Sequence, residues 1–184
     1  MVPEAQLEAQ ESGLAPAEEG WFVVNVRDAA WYRNEVTGGG IWFESEKAPF
    51  PQYGVNIRVL QPGQANGLYH AEDIQEDFLV LAGECRVLVE GEERLLRAWD
   101  FVHFPPNTEH IAVGAGDGPA VVLMIGTRKP GHRILYPVSE LARRHGAGVE
   151  RETESPGEAY PAYPDDDARR PDGWDALPWS GGAT

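Results

Sequence analysis

The sequence predicts an all-β domain of the sandwich or barrel kind, and three observations carry the prediction. From Trp21 onward, runs of six to nine residues rich in β-branched and aromatic side chains alternate with Gly, Pro, Asn and acidic turns. Within "YGVNIRVL", Tyr53, Val55, Ile57 and Val59 alternate with Gly54, Asn56 and Arg58, the period of two that a strand with two different faces requires. Only one stretch of the chain carries a full set of helix start and stop signals.

The candidate strands follow in order: "WFVVNV" (21–26), "GIWFES" (40–45), "YGVNIRVLQ" (53–61), "DFLVLAG" (77–83), "CRVLVEG" (85–91), "EERLLRA" (92–98), "DFVHFP" (100–105), "EHIAVGA" (109–115) and "AVVLMIGT" (120–127). On the third of these, Asn56 and Arg58 either face water or line a polar cavity. The "VEGEER" stretch reads as a tight hairpin, with Gly91 supplying the positive φ of a short turn. After the strands, "YPVSELARRHG" reads as a helix: Ser139 caps it, Glu140 suits its positive end, Arg143 and Arg144 its last turn, and Gly146 stops it. His145, beside that stop, reads as a charge partner of the C-terminal end.

The ends differ from the middle. Of the net charge of −15, residues 1–20 contribute five Glu against no Lys or Arg, and residues 150–184 a net of −6. Acidic, Pro/Gly-rich ends of this kind repel polyanions. Nucleic-acid binding and attachment to an anionic membrane surface are therefore not expected. No apolar window approaches the ~20 residues of a membrane span, and the first residues lack the pattern of a secretory leader, so a cytoplasmic protein is expected. The expected organisation is a flexible acidic tail over 1–20, a barrel over 21–136, and a short helix with an acidic extension over 137–184. Tyr160, Tyr163, Trp174 and Trp179 are costly to leave in water, so part of that extension is expected to pack on the domain or on a partner subunit. The single cysteine, Cys85, excludes an intramolecular disulfide and reads as a buried, inert thiol in "GECRVLV".

Chemistry concentrates in two places. In "YHAEDIQEDF", His70, Glu72 and Glu76 stand at even spacing, and Glu76 shares its strand face with the apolar Phe78, Val80 and Ala82. A carboxylate on an apolar, inward face is costly unless it meets a cation or hydrogen-bond donors. Forty residues after His70, "DFVHFPPNTEHIAVG" ends a strand at Pro105-Pro106 and opens the next at His110, a second imidazole. His103 reads as a packing or interface histidine, and His132, in "KPGHRILYP", as a loop residue without acidic neighbours.

Taken together these stretches resemble the cupin superfamily, whose first motif runs G-x5-H-x-H-x3,4-E-x6-G and second G-x5-P-x-G-x2-H-x3-N. His70, Glu76 and Gly83 stand in register with the first motif; Glu72 stands where a second histidine is usual, and the opening glycine, Gly63, comes one residue early. Pro105 and His110 match the second motif, with Trp99, Asn107 and Gly114 in place of Gly, Gly and Asn. The resemblance implies a jelly-roll (double-stranded β-helix) barrel holding one divalent transition metal, Fe, Mn, Ni, Co or Zn, through His70, Glu76 and His110. If Glu72 also binds, the set is two imidazoles and two carboxylates. If it does not, Glu72 is the natural general base of a site with open metal positions. The functions implied are a metalloenzyme acting on a small oxygen-rich molecule, by oxygenase or isomerase/lyase chemistry, or else a non-catalytic small-molecule binder with a structural metal or none. A homodimer is implied in either case.

Overall fold

The computed structural model describes residues 1–161 and 163–179, so residue 162 and the last stretch of the C-terminal extension, 180–184, lie outside the described residues. Thirteen strands, all paired antiparallel, make up most of the fold. In chain order they are β1 (Leu7–Gln10), β2 (Gly13–Pro16), β3 (Trp31–Asn34), β4 (Gly38–Trp42), β5 (Tyr53–Leu60), β6 (Ala71–Glu72), β7 (Glu76–Ala82), β8 (Glu84–Val89), β9 (Glu92–Arg97), β10 (Phe101–Phe104), β11 (His110–Ala115), β12 (Ala120–Thr127) and β13 (Ile134–Leu135). Two short helices follow, α1 (Glu140–Arg144) and α2 (Pro156–Ala159), then a single 3-10 turn at Trp174–Ala176.

The two main sheets have the strand orders β10-β7-β12-β5-β4-β3 and β11-β8-β9. Their facing sides enclose one apolar core, to which Leu60, Phe78, Phe104, Val122 and Met124 project from the larger sheet and Cys85, Val87 and Ala112 from the smaller. This is the jelly-roll barrel, two antiparallel layers packed through the alternate residues of each strand. Burial pushes the Cys85 thiol up to about 12, with Asp100 adding to the shift, which keeps it protonated and unreactive.

Strand alternation decides what reaches the barrel interior. On β5, Ile57 and Val59 pack on the outer face with Trp31 and Ile41, whereas Leu60 joins the inner core. Asn56 and Arg58 share the inner face with Leu60 by the same period of two. The outer face of the large sheet is covered by the chain's own ends. Trp174 and Trp179 lie 5.4 Å from Trp31, and Leu177 is buried against the same cluster. Tyr160 and Tyr163 pack instead beside Leu68, Tyr136 and Val149, with the Tyr160 hydroxyl accepting from the Leu68 N–H at 2.8 Å.

Two differences from the sequence reading have clear physical reasons. The "WFVVNV" stretch is not a ladder strand: its residues alternate in exposure, and Val24 and Val26 reach the outer cluster, but it has one bridge, Trp21 to Glu4, and ends in a turn at Asn25. Within residues 1–20, β1 and β2 form a hairpin that the acidic composition hides. It is tied to the domain by hydrogen bonds from Leu14 to Asp28 and from Ala30 to Leu14, both within 2.9 Å.

Positive φ occurs at Trp99 (76°) and Asn107 (68°), the two positions where these residues replace motif glycines. The turn geometry is thus kept without the glycine that tolerates it most easily. The Asn107 N–H donates to the Glu72 carbonyl at 2.6 Å, which ties the Pro105-Pro106 turn to β6.

Candidate metal centre

Three elements bring the site together. His70 and His110 form an antiparallel bridge, exchanging N–H···O bonds of 3.2 and 2.8 Å, so the loop before β6 is laid beside the first residue of β11. Glu76, the first residue of β7, pairs with Phe104 on β10 and Gly126 on β12, and its side chain enters the barrel between them. Gly126 lies against it: a Cβ there would stand in ordinary contact, 3.5 Å from the Glu76 side chain.

Both imidazoles are fixed in one orientation. His70 Nδ1 lies 2.7 Å from the Leu68 carbonyl and His110 Nδ1 2.9 Å from the Thr108 carbonyl, and a carbonyl only accepts, so each Nδ1 carries a proton. Each Nε2 is then aimed at Glu76, whose Oε2 lies 3.1 Å from His110 and 3.7 Å from His70. The Phe104 ring stacks on His110 at 3.8 Å and Phe78 meets it edge-on at 5.5 Å, which locks the imidazole plane.

A neutral imidazole nitrogen facing a carboxylate oxygen at 3.1 Å sets two lone pairs against each other, an arrangement that calls for a cation. Consistent with that demand, Glu76 Oε2 and His110 Nε2 are both buried without a hydrogen-bond partner among the described residues. Burial by itself would raise the Glu76 carboxyl, but the His110 and His70 imidazoles outweigh it and hold the group down at about 2. Burial opposes charge on His70 as well, yet Glu76 beside it raises the imidazole above its ordinary value.

The donor set fits a divalent transition ion. One donor atom from each of His70, Glu76 and His110 lies within 4.8 Å of the others. Two ligands about 2.1 Å from a shared ion stand about 3.0 to 3.4 Å apart, close to the separations seen here. Two imidazoles and a carboxylate suit several first-row metals equally.

Glu72 is not in this group of three. Its carboxylate is turned to the cavity mouth, 3.5 Å from His132 Nε2. The expectation that His132 lacks acidic neighbours is therefore corrected: β13 pairs with β6, Ile134 opposite Glu72, and returns the loop to the site. His103 sits on the outward side of β10 and bonds Asp77 at 2.6 Å, while His145 meets Glu93 at 3.1 Å. Tyr69 points away from His70 and takes a hydrogen bond from the Gly91 N–H at 3.2 Å.

An interior cavity of about 260 Å³ runs from His70 and Glu76 past Phe78 and Met124 to Asn56, Arg58 and Asn66. It shares Trp42, Asn56, Glu76 and Gly126 with an outer cavity of about 520 Å³ that includes Glu72, Arg128, Lys129 and His132. Of the two readings left open for Asn56 and Arg58, both residues line the polar cavity. A further groove, over Leu68, Val149 and Tyr163, is lined by none of the three clustered residues.

A family profile described as a cupin domain matches residues 56–126, a span containing all three clustered residues. The chain carries a cupin domain. No curated protein matches the chain. Among solved structures, a sugar phosphate isomerase of the cupin superfamily from Silicibacter pomeroyi aligns with a TM-score of 0.54 at 20% identity, covering 69% of this chain and 96% of that one. The polyketide cyclase RemF from Streptomyces resistomycificus aligns at 0.51 and 11% identity, over 60% and 82% of the two chains. Both likenesses show the jelly-roll fold of the cupin domain. A putative sugar phosphate isomerase from Acidithiobacillus ferrooxidans shares 26% identity over 45% of this chain at a TM-score of 0.44, and the match spans 55% of that protein's length. No helix among the described residues is long and apolar enough to cross a membrane.

Proposed function

We propose that this cupin is a divalent-metal enzyme that moves a proton on a small oxygen-rich molecule, as an isomerase or lyase does, with His70, Glu76 and His110 holding the metal. The observation that carries the reading is the pair of carboxylates in connected cavities: Glu76 is buried between two imidazoles whose tautomers are fixed, and Glu72 stands free of them at the mouth. The bound metal, Fe, Mn, Ni, Co or Zn, supplies Lewis acidity toward a substrate carbonyl or enolate. Glu72 is the general base in this reading, not a fourth ligand. His132, 3.5 Å from it, orients the carboxylate. Phe78 and Met124 give the inner cavity an apolar wall facing the polar one of Asn56, Arg58 and Asn66.

The protein is proposed to act in the cytoplasm as a homodimer. Leu95 on β9, Trp99, and Phe101 on the edge strand β10 are exposed apolar side chains, which supports the dimer.

Solvent-deuterium exchange tests the function. The manganese-, zinc- or iron-loaded chain is incubated in D2O with small hydroxy acids, keto acids and polyols, and proton NMR follows the C–H next to each carbonyl. Wild type is expected to exchange that hydrogen, and Glu72→Gln to do so at least ~100-fold more slowly at unchanged metal content. Exchange at the wild-type rate by Glu72→Gln overturns the base. Oxygen consumption by the iron form without carbon-bound exchange assigns the centre to oxygenase chemistry instead.

A further inference from the structure

We infer that Arg58 and Asn56 form an anion subsite on the inner face of β5, so that the substrate is a small oxygenated carboxylic acid and not a neutral sugar or diketone. This rests on the functional reading above and deepens it.

Arg58 is 8% exposed, yet it makes no ion pair among the described residues. Charged side chains are rarely buried so deeply unless paired. Its guanidinium donates from Nη1 to the Tyr32 hydroxyl and from Nη2 to the carbonyls of Thr37 (2.6 Å) and Asn66 (3.3 Å), all neutral acceptors. Its Nε–H has no partner among the described residues. The Tyr32 ring, 5.4 Å from the guanidinium carbon, adds an attraction but no charge.

Two residues along the same face, the Asn56 side-chain oxygen is also buried and without a partner among the described residues. Both residues line the cavity that holds His70 and Glu76. A carboxylate on Arg58 fills the unmet donor and neutralises the buried cation, and a hydroxyl next to that carboxylate donates to the Asn56 side-chain oxygen. The substrate's remaining oxygen then faces Glu76 and His70. A divalent ion at the three clustered residues leaves this cavity net positive, because Glu76 is the one carboxylate among its lining residues, which favours an anion further. The inner cavity of about 260 Å³ takes the carboxylate end of the ligand, and the rest of a larger ligand would extend into the connected outer cavity.

Tyr32 is held over this arginine by a local close fit. It pairs with Gly40, which in turn pairs with Arg58, and a Cβ at position 40 would lie 2.6 Å from the Tyr32 hydroxyl. The row Tyr32, Gly40, Arg58 thus aims the guanidinium from the sheet side, leaving the cavity side for the ligand.

Malonate is the probe, with uncharged malonamide of equal size as control, titrated calorimetrically into the full chain in its metal-free and manganese-loaded forms. Malonate is expected to bind, malonamide at least tenfold more weakly, and Arg58→Met to weaken malonate at least tenfold at unchanged manganese stoichiometry. Absence of malonate binding in both forms, equal binding of malonamide, or unchanged malonate affinity in Arg58→Met overturns the subsite. Should Arg58→Met fail to fold, the Nε–H resonance of Arg58 in wild type decides, since malonate must shift it. Metal uptake together with malonate binding that does not depend on Arg58 leaves the enzyme reading standing and removes the subsite. Arg58-dependent malonate binding by a chain that takes up no metal does the reverse.

Discussion

Replacing Glu76 by Gln in the metal-free protein changes stability in a way that depends on pH with a definite sign. The carboxylate lies 3.1 Å from His110 and 3.7 Å from His70, mostly buried, and is held at about 2 against an ordinary value of 4.5. That difference corresponds to about 3 kcal/mol of stability. Because the folded-state value is depressed, the stabilisation is complete above about 4.5 and is lost as pH falls toward 2; about 1 kcal/mol of it is gone at pH 3.5. His70 behaves in the opposite sense. Its raised folded-state value gives stability that is complete below 6.5 and lost as pH rises through that raised value. The stability gap between wild type and Glu76→Gln is therefore widest between about pH 4.5 and 6.5 and narrows on either side. Urea unfolding followed by tryptophan fluorescence, with a chelator present, measures it at pH 3.5, 5.5 and 8. A gap that stays constant or widens on acidification refutes the ion-paired arrangement of Glu76.

Phe104→Ala removes a fully buried ring that packs on Phe78 and stacks on His110, and is expected to cost about 3 to 5 kcal/mol in thermal or urea unfolding. Gly40→Ala forces a methyl group to 2.6 Å from the Tyr32 hydroxyl and 3.1 Å from the Ile57 carbonyl, for an expected loss of about 1 to 3 kcal/mol and weaker malonate binding by the displaced Arg58. Cys85, with its thiol pushed up to about 12 and 1% exposed, is expected to resist a thiol reagent at pH 8 in the native protein and to react within minutes in urea.

Most strands of the two main sheets were legible from their side-chain pattern: β5, β7, β8, β9, β10, β11 and β12 fall within a residue or two of the periodic runs that announce them. The same pattern misleads at "WFVVNV", because alternation reports burial on one side and says nothing of a hydrogen-bonded neighbour. β3 escaped for the converse reason. Its "WYRN" is short and half polar, and Trp31 and Asn34 are buried only because residues far along the chain return to cover them: Trp174 and Trp179 on the one, Pro164 and Asp166 on the other.

The clustered residues were legible because their spacing is set by local turns on either side of a bridge, which motif registers record directly. Arg58 was not. Its strand period gives two faces without telling which one looks into a cavity, and the orphaned Nε–H that marks it emerges only from tertiary packing. Glu72 and His132 belong to the same class, brought together by the two-residue pairing of β6 with β13 that no sequence pattern announces.

The central claim is that His70, Glu76 and His110 hold a metal ion. Elemental analysis of the full chain, purified without added metal and without chelator, measures it most directly. The account predicts about one first-row transition ion per chain in wild type and less than about a tenth of that in folded His110→Ala. Equal metal content in the two proteins, at one ion or at none, contradicts it.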